Sequence, residues 1–211
     1  MRDSPAAAIH PCPQSPRYWT HRGQTQVLLG GSADDNLFQM PGVEGQLDLL
    51  VQNGGNFLRN TMSDRPDLGY EIKAFGQRDD GLYDLQTWNE EYWTRFERFL
   101  TGTNERGIVV QIEMWDRFDH SRGPWLHDPF NPANNINYDA EESGLASDYP
   151  AHPGQNRQPF FYTVPQLQDN QILLAFQKAF VDRVLSYTLQ HDHILYCVDN
   201  ETSGDPAWAS F

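Results

Sequence analysis

Apolar positions recur at two periods along this chain, and the alternation between them predicts its elements. Val43, Leu47, Leu50 and Val51 follow a helical spacing and form one stripe. Asn53-Gly54, a pair that tolerates a left-handed C-cap, closes that segment. Trp88, Tyr92, Trp93, Phe96, Phe99 and Leu100 make a second stripe, opened by Thr87-Trp-Asn-Glu90 in the form of a capping box. A third helix is predicted over 169–190, with Ile172, Leu173, Phe176, Phe180, Val184 and Leu185 on one face. Strand-like runs lie between: Thr25–Gly30, Gly55–Asn60, Ile108–Trp115 and Ile194–Val198. In the third run Val110, Ile112 and Met114 share one face, and Val109, Gln111, Glu113 and Trp115 share the other. The first set suits packing beneath helices and the second a polar interior. The last run is nearly continuous in apolar residues, which suits a strand buried on both faces.

Each strand-like run turns polar at its C-terminal end, at Asp34-Asp35, Arg59-Asn60, Asp116 and Asp199-Asn200-Glu201. Strand–helix alternation implies a parallel sheet with right-handed crossovers. The order predicts an α/β fold of the (β/α)8 TIM-barrel type with only the first four βα units present, a half barrel. A closed barrel typically takes about 250 residues, so a truncated chain is expected. Residues 1–24 are then an N-terminal extension, and 25–211 the N-terminal half of the barrel. A flavodoxin-like open sheet is the alternative, but no Gly-rich phosphate loop follows the first run. Residues 116–168 show neither period, and their many aromatics predict an ordered, functional third βα loop.

Composition narrows the partners. With 15 Lys and Arg against 29 Asp and Glu, the net charge is −14, which disfavours nucleic acid and anionic membrane surfaces. A neutral ligand fits better. No apolar run has the length of a membrane span, and Met1–Pro16 lacks the apolar core of a secretory signal. Cys197 is read as a buried small hydrophobe within the last run, with a Cys12–Cys197 disulfide as the alternative. The histidines are read as offering neither HExxH nor HxH ligand spacing, so no metal is predicted, and no cofactor is expected.

Four landmarks carry a resemblance to a known superfamily. They are Gly54, Asn56 and Arg59 on the second strand, Trp115-Asp116 closing the third, Asp199-Asn200-Glu201 closing the fourth, and the nearby Trp208. Together they resemble the clan-A, cellulase-like glycoside hydrolases, most closely a subgroup of uncharacterised substrate. That subgroup shares the Leu-Leu-Gly-Gly-Ser first strand, the Arg59–Ser63 turn and the Asp199–Gly204 segment. The resemblance implies a retaining hydrolase acting on a poly- or oligosaccharide. It makes Glu201 the general acid/base, Asn200 the partner of the sugar 2-hydroxyl, and Arg59 the holder of the nucleophile's charge. The nucleophile, a second Glu on a seventh strand, has no counterpart in this sequence. A non-catalytic carbohydrate-binding barrel is the rival.

Plainer roles compete at each position. Glu201 could be a carboxylate favoured by a helix N-terminus, and Arg59 a structural ion pair. Glu113 is expected to be an interior residue paired with Arg59 or with a backbone donor rather than a second catalytic acid. Asp116 is a candidate substrate contact, and Asp34 and Asp35 either bind sugar hydroxyls or form an Asx turn. Trp115, Trp125 and Trp208 are candidate stacking platforms for a pyranose ring, whereas Trp88 and Trp93 belong to a helical core stripe.

Overall fold

The computed structural model describes residues 8–152, 158–201 and 204–211. Residues 1–7 of the expected extension, 153–157 of the long loop, and Thr202 and Ser203 of the strand-end motif lie outside the described residues.

The chain begins with a small antiparallel sheet of β1 (His10–Pro11), β2 (Trp19–His21) and β3 (Gln24–Gln26). A boundary at residue 24 therefore runs through the β2–β3 hairpin. Asp192 ties this sheet to the rest of the protein. It accepts from Arg22 at 2.7 Å and lies 3.1 Å from His21 Nε2, while its carbonyl accepts from Ile9 N at 2.8 Å. The two contacting side chains hold the Asp192 carboxyl down at about 2.

After α1 (Val43–Gln52) come β4 (Phe57–Thr61), the hairpin β5 (Phe75–Gln77) and β6 (Tyr83–Trp88), α2 (Glu90–Glu105) and β7 (Val109–Asp116). The short helices α3 (Arg122–Trp125) and α4 (Ala140–Ser143) precede α5 (Gln171–Thr188), β8 (Ile194–Asn200) and α6 (Pro206–Ala209). The central sheet is parallel, in the order β4-β7-β8. Its register sets Arg59 beside Gln111, Thr61 beside Glu113, and Asp116 beside Asn200.

Two expected elements take a different form. The run predicted over Thr25–Gly30 is split: Gln24–Gln26 joins the small sheet, and the remainder meets β4 through a single parallel bridge, Gly30 to Phe57. A side chain supplies what the ladder lacks. Asn56 accepts from Leu29 N at 2.8 Å and donates to Val27 O at 3.0 Å, so these backbone groups are satisfied without a regular strand. Gly30 is required there, because a Cβ would run into the Phe57 carbonyl.

The helix expected from Trp88 starts later. Trp88 ends β6, and Asn89 is the N-cap, accepting from Glu91 N at 3.2 Å. Thr87 instead donates to Asp84 O at 3.1 Å. The β5–β6 hairpin has no expected counterpart, since its mixed polar and aromatic positions carry neither period cleanly.

Helices α2 and α5 supply the largest buried faces, including Trp93, Phe96, Phe99, Leu100, Phe180 and Val184. Polar tips in this core find partners: Trp93 Nε1 donates to Ala74 O at 3.1 Å, and Tyr92 OH to Met62 O at 2.7 Å. Ile172, placed on the inward stripe of α5, is 38% exposed. Residues 116–168 are ordered where described. They fold as a cover whose Trp125, Phe130, Phe160 and Phe161 join the main core. Cys12 and Cys197 are both free. No helix among the described residues is long and apolar enough to cross a membrane.

Strand β8 is not buried on both faces. Among the described residues it pairs only with β7, leaving Tyr196 47% and Val198 43% exposed. Its start is nonetheless anchored by His193, fully buried with Nε2 3.1 Å from Thr103 Oγ1. Burial, with His191 adding to it, pushes the His193 imidazole down to about 3. The unfolded chain, with a His near 6.5, therefore takes up this proton first. The stability this group contributes is whole above about 6.5 and is lost as pH falls towards 3. His193→Gln is expected to flatten that acid limb in thermal unfolding followed by circular dichroism. An unchanged slope between wild type and variant would refute it.

Candidate functional site

The parallel strands end at one mouth, and their last polar residues meet there. Register places Arg59 on the same face as Gln111 and Glu113. Arg59 Nη2 donates to Asp35 at 2.7 Å, Nη1 to Asn200 Oδ1 at 3.4 Å, and Nε lies 3.5 Å from Glu113 Oε1. Burial alone would lower the guanidinium's pKa, but Glu113 and Asp35 outweigh it and raise it. Of the two partners expected for Glu113, the structure supplies Arg59, and Glu113 also accepts from Gln111 Nε2 at 3.0 Å. Its carboxyl is raised by burial, against the pull of Arg59.

A second arginine, not foreseen from the sequence, organises the other side. Arg65 Nη1 lies 2.7 Å from Asp116 Oδ2 and 3.0 Å from Asp119 Oδ1. Its Nη2 reaches Asp35 at 3.4 Å, and its Nε reaches Asp67 at 3.0 Å. Asp119 is pushed up to about 8 by burial and by Asp116, in opposition to Arg65. Nothing local in the Arg59–Asp67 stretch signals this role. The cue would have been the two carboxylates, Asp116 and Asp119, that the end of β7 and the turn after it bring to one place.

Asp116, a candidate ligand contact, borders the cavity but turns its carboxylate inward. Its side chain is fully buried. It accepts from Arg65, from Asn200 Nδ2 at 3.4 Å and from Phe118 N at 2.9 Å. Asp116 thus holds Arg65 and Asn200 in place. Asp35 is more open, at 44% exposure, and bridges the two arginines. Its carbonyl accepts from Thr61 N at 2.7 Å, which fixes the loop at the end of β4. Asp34 makes the turn contact, accepting from Asp35 N at 2.9 Å, and also takes the Tyr70 hydroxyl at 2.6 Å.

Glu201 follows β8 directly, in a left-handed backbone conformation with φ 47°. Its side chain is exposed and makes no hydrogen bond or ion pair with any described residue. It lines an open cavity of about 420 Å3 together with Arg59, Arg65, Asn200, Phe118 and Arg122.

No indole stands at this mouth. Trp115 is 7% exposed, its ring within 5.0 Å of Phe180 and 5.3 Å of Phe160, centre to centre. Trp208 is 8% exposed and lies 5.1 Å from Phe161. Trp125 is buried, with its indole N–H donated to Ala146 O at 2.9 Å. Tryptophan gains more from burial among aromatic rings than a strand-end position alone would suggest, and the folded 116–168 segment supplies those rings. The ring that does line the cavity is Phe118, half-buried and packed edge-on to His152 at 5.6 Å.

His191-Asp192-His193 has the alternate spacing of a metal-ligand pair, but Asp192 is bonded to Arg22 and His193 faces Thr103. The described residues contain no group of three or more side chains arranged to hold an ion.

Fold and mouth together define an α/β protein with a parallel central sheet, and its fold is like that of solved glycoside hydrolases. In particular, the chain is similar to a family 5 mannosidase from Rhizomucor miehei. The match has a TM-score of 0.60 and 15% identity over 97% of this chain in a mutant complexed with mannosyl-fructose, and 0.58 and 15% over 98% in a second structure. It is also similar to a protein from Bacteroides vulgatus assigned to the glycoside hydrolases, with a TM-score of 0.53 and 10% identity over 93% of this chain. At these identities the likeness is one of fold. The chain spans 51% and 52% of the mannosidase chains and 32% of the Bacteroides one. No protein-family model and no curated protein sequence matches it.

Proposed function

We propose that this chain carries the acid/base side of a glycoside hydrolase cleft acting on a poly- or oligosaccharide. The sheet then represents the first strands of an eight-stranded barrel, with the 27–30 segment in first place. Glu201 protonates the leaving-group oxygen and later activates water. Asn200, held by Asp116, offers its amide to a sugar hydroxyl, and Arg59 provides positive charge beside it. One observation carries the proposal: Glu201 lies past the C-terminal end of a parallel strand, with its carboxylate open to the same cavity as Arg59 and Asn200.

A specific observation favours the rival, a carbohydrate-binding site without hydrolysis. Asp35, Asp67 and Asp116 are all paired with arginine, which leaves Glu201 as the one unpaired carboxylate among the described cavity residues. Hydrolysis needs two working carboxyl groups. On the hydrolytic reading the second is contributed by a segment outside this chain.

The test is turnover of aryl mannosides and aryl glucosides by the protein expressed from its whole coding region, alongside Glu201→Gln and Glu113→Gln. Loss of turnover in Glu201→Gln alone is expected. Saccharide binding without turnover in the parent would select the rival, and unimpaired hydrolysis in Glu201→Gln would remove Glu201 from the mechanism.

A further inference from the structure

The charged groups around the cavity do not balance one another pairwise. Arg59 is paired with Asp35 and Glu113, and Arg65 with Asp35, Asp67, Asp116 and Asp119. Two charges remain without an ionic partner among the described residues: the Glu201 carboxylate and the Arg122 guanidinium. In a chain with 29 acidic residues to 15 basic ones, an arginine that lines an open cavity yet makes no ion pair among the described residues is unexpected from composition.

Arg122 is also held in place. Its backbone is left-handed, with φ 53°, and its N–H donates to Tyr149 O at 2.7 Å. A non-glycine residue in this region carries a conformational cost that the surrounding structure must offset. Its guanidinium carbon lies 5.6 Å from the centre of the Phe118 ring, on the same wall of the cavity. An aromatic ring beneath a guanidinium supports the plane while leaving the N–H groups along its edge free to bond. A planar carboxylate is the partner that such a fork accepts in two parallel hydrogen bonds.

Building on the glycan-binding reading of this cleft, we propose that Arg122, backed by Phe118, binds the carboxylate of a uronic acid unit. The substrate class is then a uronate-bearing oligosaccharide, with the uronate seated apart from the sugar that meets Glu201. Arg122 here determines specificity and takes no part in the chemistry.

The experiment is calorimetric titration of the chain with three probes: cellobiose, an aldobiuronic acid and a sulfated disaccharide. The titrations are repeated for Arg122→Gln and Arg122→Lys. The uronate is expected to bind about tenfold more tightly than cellobiose, a preference that weakens with added salt. Arg122→Gln should erase that preference and leave cellobiose binding unchanged, and Arg122→Lys should restore only part of it. Equal affinity for cellobiose and the uronate, or a preference that persists in Arg122→Gln, overturns the uronate assignment but leaves glycan binding standing. Tighter binding of the sulfated probe overturns the carboxylate as the recognised group. Binding of none of the three would count against the glycan reading itself.

Discussion

Replacing Arg65 with Met is expected to destabilise the protein by about 3–5 kcal/mol, with a fall in Tm on the order of 10 °C. The side chain is only 11% exposed and is the main positive charge beside Asp116 and Asp119, which are themselves enclosed. Without it Asp116 and Asp119 share a buried site that has lost its main positive charge. The loss carries a pH signature. The folded-state pKa of Asp119 is already raised, to about 8, above an unfolded value near 3.9. Stability from the protonated form is therefore whole below about 4 and is lost as pH rises through about 8. The defect in Arg65→Met should be smaller at pH 5 than at pH 8, and Asp119→Asn should relieve part of it. Urea denaturation at the two pH values measures this. A loss below about 1 kcal/mol, equal at both, would mean that the arginine acts as an ordinary surface ion pair.

Trp115→Ala should cost a similar amount, about 3–5 kcal/mol, because it empties the space between several aromatic rings. Phe180, Phe160 and Phe130 lie 5.0, 5.3 and 6.0 Å from the indole, and Trp208 lies 6.5 Å away. Trp115→Phe keeps much of that packing and should lose far less. Saccharide affinity of the folded Trp115→Phe protein should match wild type, while Phe118→Ala should weaken it. Weakened binding in Trp115→Phe with stability intact would instead return the indole to the ligand surface.

Much of this architecture could be read from the sequence by itself. The stripes of α2 and α5, and the alternation in β7, follow from burial acting on one residue at a time at a fixed period. The polar terminations at Arg59, Asp116 and Asn200-Glu201 were legible for the same reason: an apolar run that stops at charged residues must end where water or a partner is near. For Glu113 the sequence left two partners open, Arg59 or a backbone donor, and the register of β4 against β7 brings Arg59 to it.

Tertiary structure alone decided matters that depend on two distant segments meeting. Asn56 replaces a ladder with side-chain bonds to Val27 and Leu29, and no local period announces that. Arg65 became the hub of the mouth because the end of β7 and the turn after it deliver Asp116 and Asp119 to it. Trp115 and Trp208 are covered, and Phe118 is the ring left lining the cavity, because the described part of the 116–168 segment folds back over the strand ends. A sequence states each side chain's chemistry, but its exposure is set by whatever else packs against it. For large aromatic rings that neighbour-dependent contribution is the larger one.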